Sequence, residues 1–201
     1  MLQAFFRVFL ITLAFVAGSA IAAPRVGESA PDFTGVDTQS KTHRLADYRG
    51  KTVVLEWTNH DCPYVRKHYG AGNMQEQQRE AAAQGAIWLS VISSAPGQQG
   101  YVSPGEADEL TRSRKAAPHA VLLDPEGRIG RAFGAKTTPH LYIIDEAGKL
   151  VYMGGIDSIT TADPADISKA TQYVRVALRE RAAGQPVTTP VTRPYGCSVK
   201  Y

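Results

Sequence analysis

The segment that most constrains the fold is a β-rich run followed by a cysteine and a proline. Residues 52–57 read TVVLEW, a mixture of β-branched, aliphatic and aromatic residues that predicts a largely buried strand. A short polar stretch then leads to Cys62 and Pro63. Proline is tolerated in the first turn of a helix because an N–H there would have no partner within the helix. The pattern therefore predicts a buried strand, a loop, and a helix that begins at Cys62-Pro63.

The remaining β-rich segments predict the other strands of a sheet. Residues 38–41 predict the turn of an N-terminal hairpin, and residues 86–92 and 120–123 each predict a strand. Residues 141–153 predict a second hairpin, with its turn at residues 146–149.

The helices are predicted from caps and breakers. The expected starts are Pro63, Asn73 as a cap with Glu76 in a capping-box arrangement, Ser103 with Glu106, Asp124-Pro125, and Asp163-Pro164. Gly70 and Gly72 interrupt the first of these helices. The last one is expected to run to Gly184 with one face formed by Ile167, Ala170, Val174 and Leu178. The order βαβαβα followed by ββα predicts an α/β fold, with a mixed central sheet, helices on both faces and an N-terminal hairpin extension.

The first 22 residues have the pattern of a secretory leader. Arg7 precedes an apolar run over residues 8–17, and the small residues Ala20 and Ala22 match a signal-peptidase site. The run is shorter than the roughly 20 residues that span a bilayer. We therefore predict a signal peptide over residues 1–22, a domain over 23–184 and a C-terminal tail over 185–201. The mature protein is expected to be exported, periplasmic or secreted, without stable membrane association after cleavage.

The charge of the mature chain is low. Without Arg7 the chain carries a net charge of +2, and no run of Lys or Arg concentrates it. This argues against a nucleic-acid partner and favours small molecules or proteins.

The two cysteines, Cys62 and Cys197, are the main candidates for chemistry. A cysteine at a helix amino end lies near free backbone N–H groups and the positive end of the helix dipole, which favour the reactive thiolate. The alternative is that Cys62 is a small buried apolar residue. The pair is either one long-range structural bridge or a working redox couple. A second element is Pro139, preceded by Thr137 and Thr138 just before a predicted strand, a position that suits a tight-turn proline.

Together these residues resemble the thioredoxin-like superfamily, specifically the alkyl hydroperoxide reductase/thiol-specific antioxidant (redoxin) branch and a peroxiredoxin-like subgroup of it. The matching segments are residues 26–33, 53–65, 134–139, 143–152 and 194–201, and the resemblance covers nearly all of residues 26–201. It implies that Cys62 is the catalytic nucleophile and that Pro139 is a cis-proline facing it. It further implies substrate contacts at Thr138 and Pro139, and at Asn59 and Pro63 beside the nucleophile.

The sequence departs from the family pattern at two positions. Val65 replaces the second cysteine of a Cys-x-x-Cys motif, and Asn59 stands three residues before Cys62, where peroxiredoxins have a threonine. Cys197 is the candidate to replace the missing partner as a catalytic resolving cysteine, within the chain or from a neighbour. An arginine that supports the thiolate is not assigned among the candidates Arg66, Arg112, Arg114, Arg128 and Arg131.

The leading hypothesis is an exported thiol oxidoreductase that reduces peroxides or exchanges protein disulfides and is recycled by a thiol reductant protein, with no cofactor. One alternative is a catalytically inactive binding domain of the same fold, suggested by Val65 and Asn59. A second is copper or zinc handling by His60, Cys62, His68 and His140, although we predict no metal ligands.

Overall fold

The computed structural model describes residues 23–201, so the predicted leader lies outside the described residues. Within this range the strands are β1 (Thr34–Asp37), β2 (Thr42–Arg44), β3 (Val53–Trp57), β4 (Ile87–Ile92), β5 (Ala120–Leu123), β6 (Thr137–Thr138), β7 (His140–Ile144), β8 (Leu150–Gly154) and β9 (Cys197–Ser198). The helices are α1 (Pro63–Gly70), α2 (Asn73–Ala83), α3 (Pro104–Ser113), α4 (Arg128–Phe133) and α5 (Tyr173–Ala182), with 3-10 turns at Leu45–Tyr48 and Pro164–Lys169. None of the helices in this range is both long and apolar enough to cross a bilayer.

The central sheet is mixed, as predicted. Its seven strands lie in the order β2-β1-β5-β4-β3-β7-β8. The β3–β4 and β4–β5 pairs are parallel, whereas β7 runs antiparallel to both β3 and β8. The predicted N-terminal hairpin, β1–β2, joins this sheet because β1 pairs antiparallel with β5.

Helices cover both faces of the sheet, so the central strands are buried on both sides. All five residues of β3 are buried. Val54 packs in the core on one face with residues of α1, α2 and α5, whereas Leu55 and Trp57 pack on the other face with residues of α4. This arrangement confirms the predicted α/β class and places the start of α1 beside the end of β3.

Two helix predictions are corrected. Asn73 is the first residue of α2 and not its cap, because Gly72 occupies the cap position with a left-handed φ of 75°. The helix predicted from Asp163 is two elements, since Ala170 is extended and ends the 3-10 turn before α5 begins. Ile167 and Ala170 therefore do not share the buried face of Val174 and Leu178.

A smaller correction concerns α4, which begins later than Asp124-Pro125 suggests. Gly127 caps it and Gly134 ends it. The side chain of Asp124 still serves the helix start, because it accepts hydrogen bonds from the backbone N–H groups of Ile129 and Gly130.

The C-terminal tail packs along the domain as a strap. The hydroxyl of Thr192 bonds to Tyr152 and to the N–H of Gly155, so the tail first follows the end of β8. Further on, Tyr195 is buried and β9 pairs with β6. At the last residue the hydroxyl of Tyr201 donates to the carbonyl of Ala135.

Candidate functional site

Cys62 lies at the amino end of α1, where the sequence predicts it. Its backbone is extended, with φ −71° and ψ 123°, and Pro63 is the first helical residue. The Cys62 side chain has no exposed surface. As a thiol it donates to the carbonyl oxygen of Thr138 at 3.0 Å. The β3–α1 junction therefore directs the sulfur at the segment before Pro139.

The loop between β3 and Cys62 is braced by its own polar groups. The Oδ1 of Asn59 accepts from the N–H of Asp61 at 2.9 Å, and its Nδ2 donates to the carbonyl of Gln99 at 3.2 Å. Gly100 makes this contact possible, because a Cβ there would lie 2.4 Å from the Asn59 side chain. The hydrogen bonds that the structure describes for Asn59 hold the loop, and none of them goes to the sulfur.

The candidate arginines near the site also support the loop. Arg66 and Arg114 both donate to the carbonyl oxygen of His60, and Arg114 stacks over the ring of Tyr69 at 5.0 Å. The described contacts of these two arginines do not include Cys62. Their role in this structure is to fix the backbone that carries the cysteine.

The Thr138–Pro139 segment faces Cys62. The peptide bond between the two residues is cis, as the family resemblance implies. Both residues are buried. Thr138 is the last residue of β6, so its backbone is available to pair with another extended strand.

Cys197 occupies that pairing position. It is the register partner of Thr138 in the antiparallel β6–β9 pair, and its N–H lies 3.4 Å from the Sγ of Cys62. Gly196 allows this approach, since its φ is 131° and a Cβ would lie 2.0 Å from the carbonyl oxygen of Thr138. The two cysteines are free thiols in contact within one chain.

The electrostatics of the pair make the two sulfurs unequal. Burial by itself raises the pKa of Cys62, but hydrogen bonds from the side chain and backbone of Cys197, from the side chain of Thr138 and from the N–H of Val65 outweigh it and lower the pKa. Burial raises the pKa of Cys197 to about 11, and donation to Cys62 adds to this effect. Cys62 therefore ionises first, while Cys197 keeps its proton and donates to the thiolate.

A buried polar cluster that the sequence pattern does not predict joins α1 to the tail. Lys67 and Asp157 form an ion pair at 3.3 Å with both side chains fully buried. The hydroxyl of Tyr195 donates to the other oxygen of Asp157 and lies 3.2 Å from the Nε2 of His68. One sequence feature points to this cluster. Lys67 and His68 are adjacent polar residues in a helix whose neighbouring residues Val65 and Tyr69 are buried.

The four candidate metal ligands do not converge. Both ring nitrogens of His68 have protein partners, Asn73 and Tyr195. The Nδ1 of His140 lies within hydrogen-bond distance of the N–H of Lys136 and the hydroxyl of Tyr142. Within residues 23–201, no group of three or more His, Cys, Asp or Glu side chains has the arrangement of a metal site.

Residues 26–153, more than half of the chain, match the model of the AhpC/TSA family. The chain belongs to the AhpC/TSA family. This confirms the predicted thioredoxin-like redoxin membership, and the peroxiredoxin-like subgroup is compatible with it. The family and its relatives support the prediction of a thiol oxidoreductase.

This family member is similar to curated proteins and to solved structures. The thiol-disulfide oxidoreductase ResA of Geobacillus thermodenitrificans is 27% identical over 135 residues, which cover 64% of this chain and 68% of the relative. An uncharacterised conserved protein from Geobacillus kaustophilus has a TM-score of 0.77 at 24% identity, covering 88% of this chain and 92% of its own. A candidate thiol:disulfide interchange protein DsbE from Chlorobium tepidum has a TM-score of 0.54 at 25% identity, covering 65% and 85%.

Proposed function

We propose that this protein is an exported two-cysteine thiol oxidoreductase in which Cys62 attacks the oxidant and Cys197 resolves the product as an intramolecular disulfide. The observation that carries the proposal is the contact between the N–H of Cys197 and the Sγ of Cys62 at 3.4 Å. A resolving thiol this close replaces the second cysteine that Val65 removes from the start of α1. Export rests on the leader pattern of residues 1–22.

The favoured oxidant is a peroxide. The Cys62 thiolate attacks one peroxide oxygen, the O–O bond breaks, and the leaving alkoxide or hydroxide takes up a proton to give an alcohol or water. Cys62 is then a neutral sulfenic acid, so burial still raises the pKa of Cys197 but the added effect of the negative charge on Cys62 is gone. The Cys197 sulfur attacks the sulfur of Cys62, water leaves, and the disulfide forms. A reductant protein with two thiols returns both cysteines to thiols and is itself oxidised to a disulfide.

The tail argues for a small oxidant over a protein disulfide. The backbone of Thr138, where the family resemblance implies substrate contacts, is paired with the chain's own β9. A peroxide needs only a small opening to the buried sulfur of Cys62, whereas an extended polypeptide at Thr138 must displace the whole of β9. Pro63 is exposed beside the nucleophile, and Pro139 is buried next to the Thr138 carbonyl that Cys62 contacts, so we assign them to the rim and the floor of the substrate site.

Disulfide exchange is the second candidate reaction, favoured by the names of the curated relatives. In this reaction the Cys62 thiolate attacks one sulfur of a substrate disulfide and releases a substrate thiolate. Cys197 then displaces the second substrate thiolate, so the substrate is reduced and the cysteine pair is oxidised.

Mass spectrometry of the mature protein tests the proposal. The reduced protein is titrated with hydrogen peroxide and, separately, with a peptide disulfide, and the Cys62–Cys197 disulfide is quantified after blocking free thiols. We expect stoichiometric disulfide with peroxide, no reaction in Cys62→Ser, and a sulfenic acid trapped by dimedone in Cys197→Ser. Disulfide formation with the peptide alone would assign the exchange reaction. Free thiols after both treatments would reject the proposal and favour the alternative, a catalytically inactive binding domain.

A further inference from the structure

We infer that Tyr195 is a positioning residue that holds Cys197 against Cys62. The cluster that anchors Tyr195 then determines whether Cys62 reacts with Cys197 or with a sulfur atom of another molecule. The inference rests on the proposed role of the two cysteines. It goes beyond that role because it assigns a function to the buried polar residues of α1, Lys67 and His68, which the reaction itself does not use.

The anchor is a continuous chain of hydrogen bonds that ends on the tail. The amide nitrogen of Asn73 donates to the Nδ1 of His68 at 2.8 Å and also to the Oε1 of Gln172 at 3.0 Å. The Nδ1 of His68 must then accept, so its proton is on Nε2, which faces the hydroxyl of Tyr195 at 3.2 Å. That hydroxyl in turn donates to Asp157.

The charges in the cluster favour this single arrangement. Burial lowers the pKa of His68 to about 4, so the ring is neutral near pH 7 and donates one proton only. Burial, reinforced by Asp157, raises the pKa of Tyr195, so its hydroxyl stays protonated and donates. The negative charge of Asp157 is balanced by Lys67, whose Nζ also donates to the carbonyl of Ile159 at 3.0 Å.

The anchor and the nucleophile lie on the same helix. Lys67 and His68 lie within α1, which begins right after Cys62, and Tyr64 of the same helix packs edge-on against the ring of Tyr195 at 5.7 Å. Cys197 is two residues beyond Tyr195. The tail is therefore fixed to α1, the helix that follows Cys62, at a point only two residues before Cys197.

This geometry raises the effective concentration of Cys197 at the Cys62 sulfur. A partner held in place by the same chain outcompetes an outside thiol unless the tether is released. While Tyr195 is anchored, β9 also covers the Thr138 backbone and the Cys62 side chain. Loosening Tyr195 should therefore have two opposite effects, faster entry of an outside reagent and slower closure by Cys197.

Reaction with 5,5′-dithiobis(2-nitrobenzoate) measures both effects without any peroxide. The Cys62 thiolate attacks the reagent and releases one thionitrobenzoate anion, leaving a mixed disulfide on Cys62. Cys197 then displaces the second thionitrobenzoate and closes the Cys62–Cys197 disulfide. The two releases are followed by absorbance, and Cys197→Ser identifies the second one by abolishing it.

We expect Tyr195→Phe to speed the first release and to slow the second about tenfold, because the ring stays but the hydroxyl anchor is lost. Tyr201→Phe is the matched control, since it removes the hydroxyl of the other tyrosine that anchors the tail, and it should change neither rate by more than about twofold. If Tyr195→Phe does not fold, Tyr64→Leu loosens the same ring and should give the same pair of opposite changes. Equal second-release rates in wild type and variant, or equal effects of the two Tyr→Phe changes, would overturn the inference.

The outcomes separate this inference from the proposed function. Opposite rate changes in a protein whose cysteines do not respond to peroxide or to peptide disulfide would retain the positioning role and reject the function. A Cys62–Cys197 disulfide formed with peroxide, together with unchanged release rates in Tyr195→Phe, would retain the proposed function and reject the positioning role.

Discussion

The backbone N–H of Cys197 lies 3.4 Å from the Sγ of Cys62, although 135 residues separate the two in the chain. Cys197 belongs to β9, the strand that pairs with Thr138. This short strand therefore covers the sulfur of Cys62 and also places the sulfur of Cys197 beside it. The cysteine that starts α1 thus has a nearby partner outside its own helix.

The first prediction concerns the pH dependence of alkylation. Cys62 should react with iodoacetamide at a lower pH than Cys197, because its pKa is lowered and that of Cys197 is raised to about 11. Replacing Cys197 by Ala removes the S–H donor and should raise the pKa of Cys62. Rates measured from pH 5 to 11 with peptide mass spectrometry test both statements. An unchanged or lower pKa of Cys62 in Cys197→Ala would contradict them.

The second prediction concerns Gly196. Its φ of 131° disfavours any other residue, and an added Cβ would meet the Thr138 carbonyl at 2.0 Å. Gly196→Ala should therefore lower the free energy of unfolding by about 3 kcal/mol and displace β9 from Cys62. Gly184→Ala is the control, because φ is 71° there but no atom lies within 4 Å, so only about 1 kcal/mol of backbone strain is expected. Urea denaturation compares the two, and equal losses would contradict the predicted contact.

The third prediction concerns Glu56, a fully buried carboxyl on β3. Its oxygens accept from Tyr69, Trp88, Ser90 and Gln78. Burial raises the pKa of Glu56, and these four donors oppose that shift. Glu56→Leu removes this acceptor, and although Gln78 still donates to the hydroxyl of Tyr69, the other three donors lose theirs, which should cost about 3 kcal/mol or more of unfolding free energy.

Glu56→Gln is the matched comparison for that substitution. The amide keeps one acceptor oxygen, which can occupy the position that receives three of the four donors, so a smaller loss is expected than for Leu. Urea denaturation followed by tryptophan fluorescence measures both variants, since Trp88 is one of the donors. A Leu variant as stable as the Gln variant would show that the donors find other partners.

The fourth prediction concerns stability in acid. Burial lowers the pKa of His68 from 6.5 to about 4, so the unfolded chain binds a proton more readily than the folded one between these values. The stabilising contribution is complete above about pH 6.5 and is lost as the pH falls towards 4. His140, whose pKa burial lowers to about 3, acts in the same direction over a wider range. Urea midpoints measured between pH 7 and pH 4 should decrease as the pH is lowered.

The control for the acid effect is His68→Gln, which removes the titrating ring. Its stability should depend less steeply on pH than that of the wild type. NMR titration of His68 in the folded protein provides a direct check, and a value near 6.5 would contradict the assignment of a neutral, buried ring.

Much of the fold is predictable because the relevant signals are local. The strand before Cys62 follows from consecutive β-rich residues, and the start of α1 follows from Pro63. The capping box of Ser103 and Glu106 forms as predicted, because its partners are three residues apart. Prediction failed where tertiary contacts compete with local preference. Asn73 can cap a helix, yet its side chain is used by His68 and Gln172 instead.

The sequence by itself determined that a cysteine stands at the amino end of a helix after a buried strand, because adjacent residues and one proline decide both elements. It did not determine that Cys197 of the same chain would face that cysteine, what would anchor the tail, or that Asn59 would brace a loop. Those outcomes depend on contacts between residues far apart in the chain, such as Gly196 with Thr138 and Tyr195 with Asp157. Such pairs have no periodicity or fixed spacing, so only the packed sheet, helices and tail bring them together.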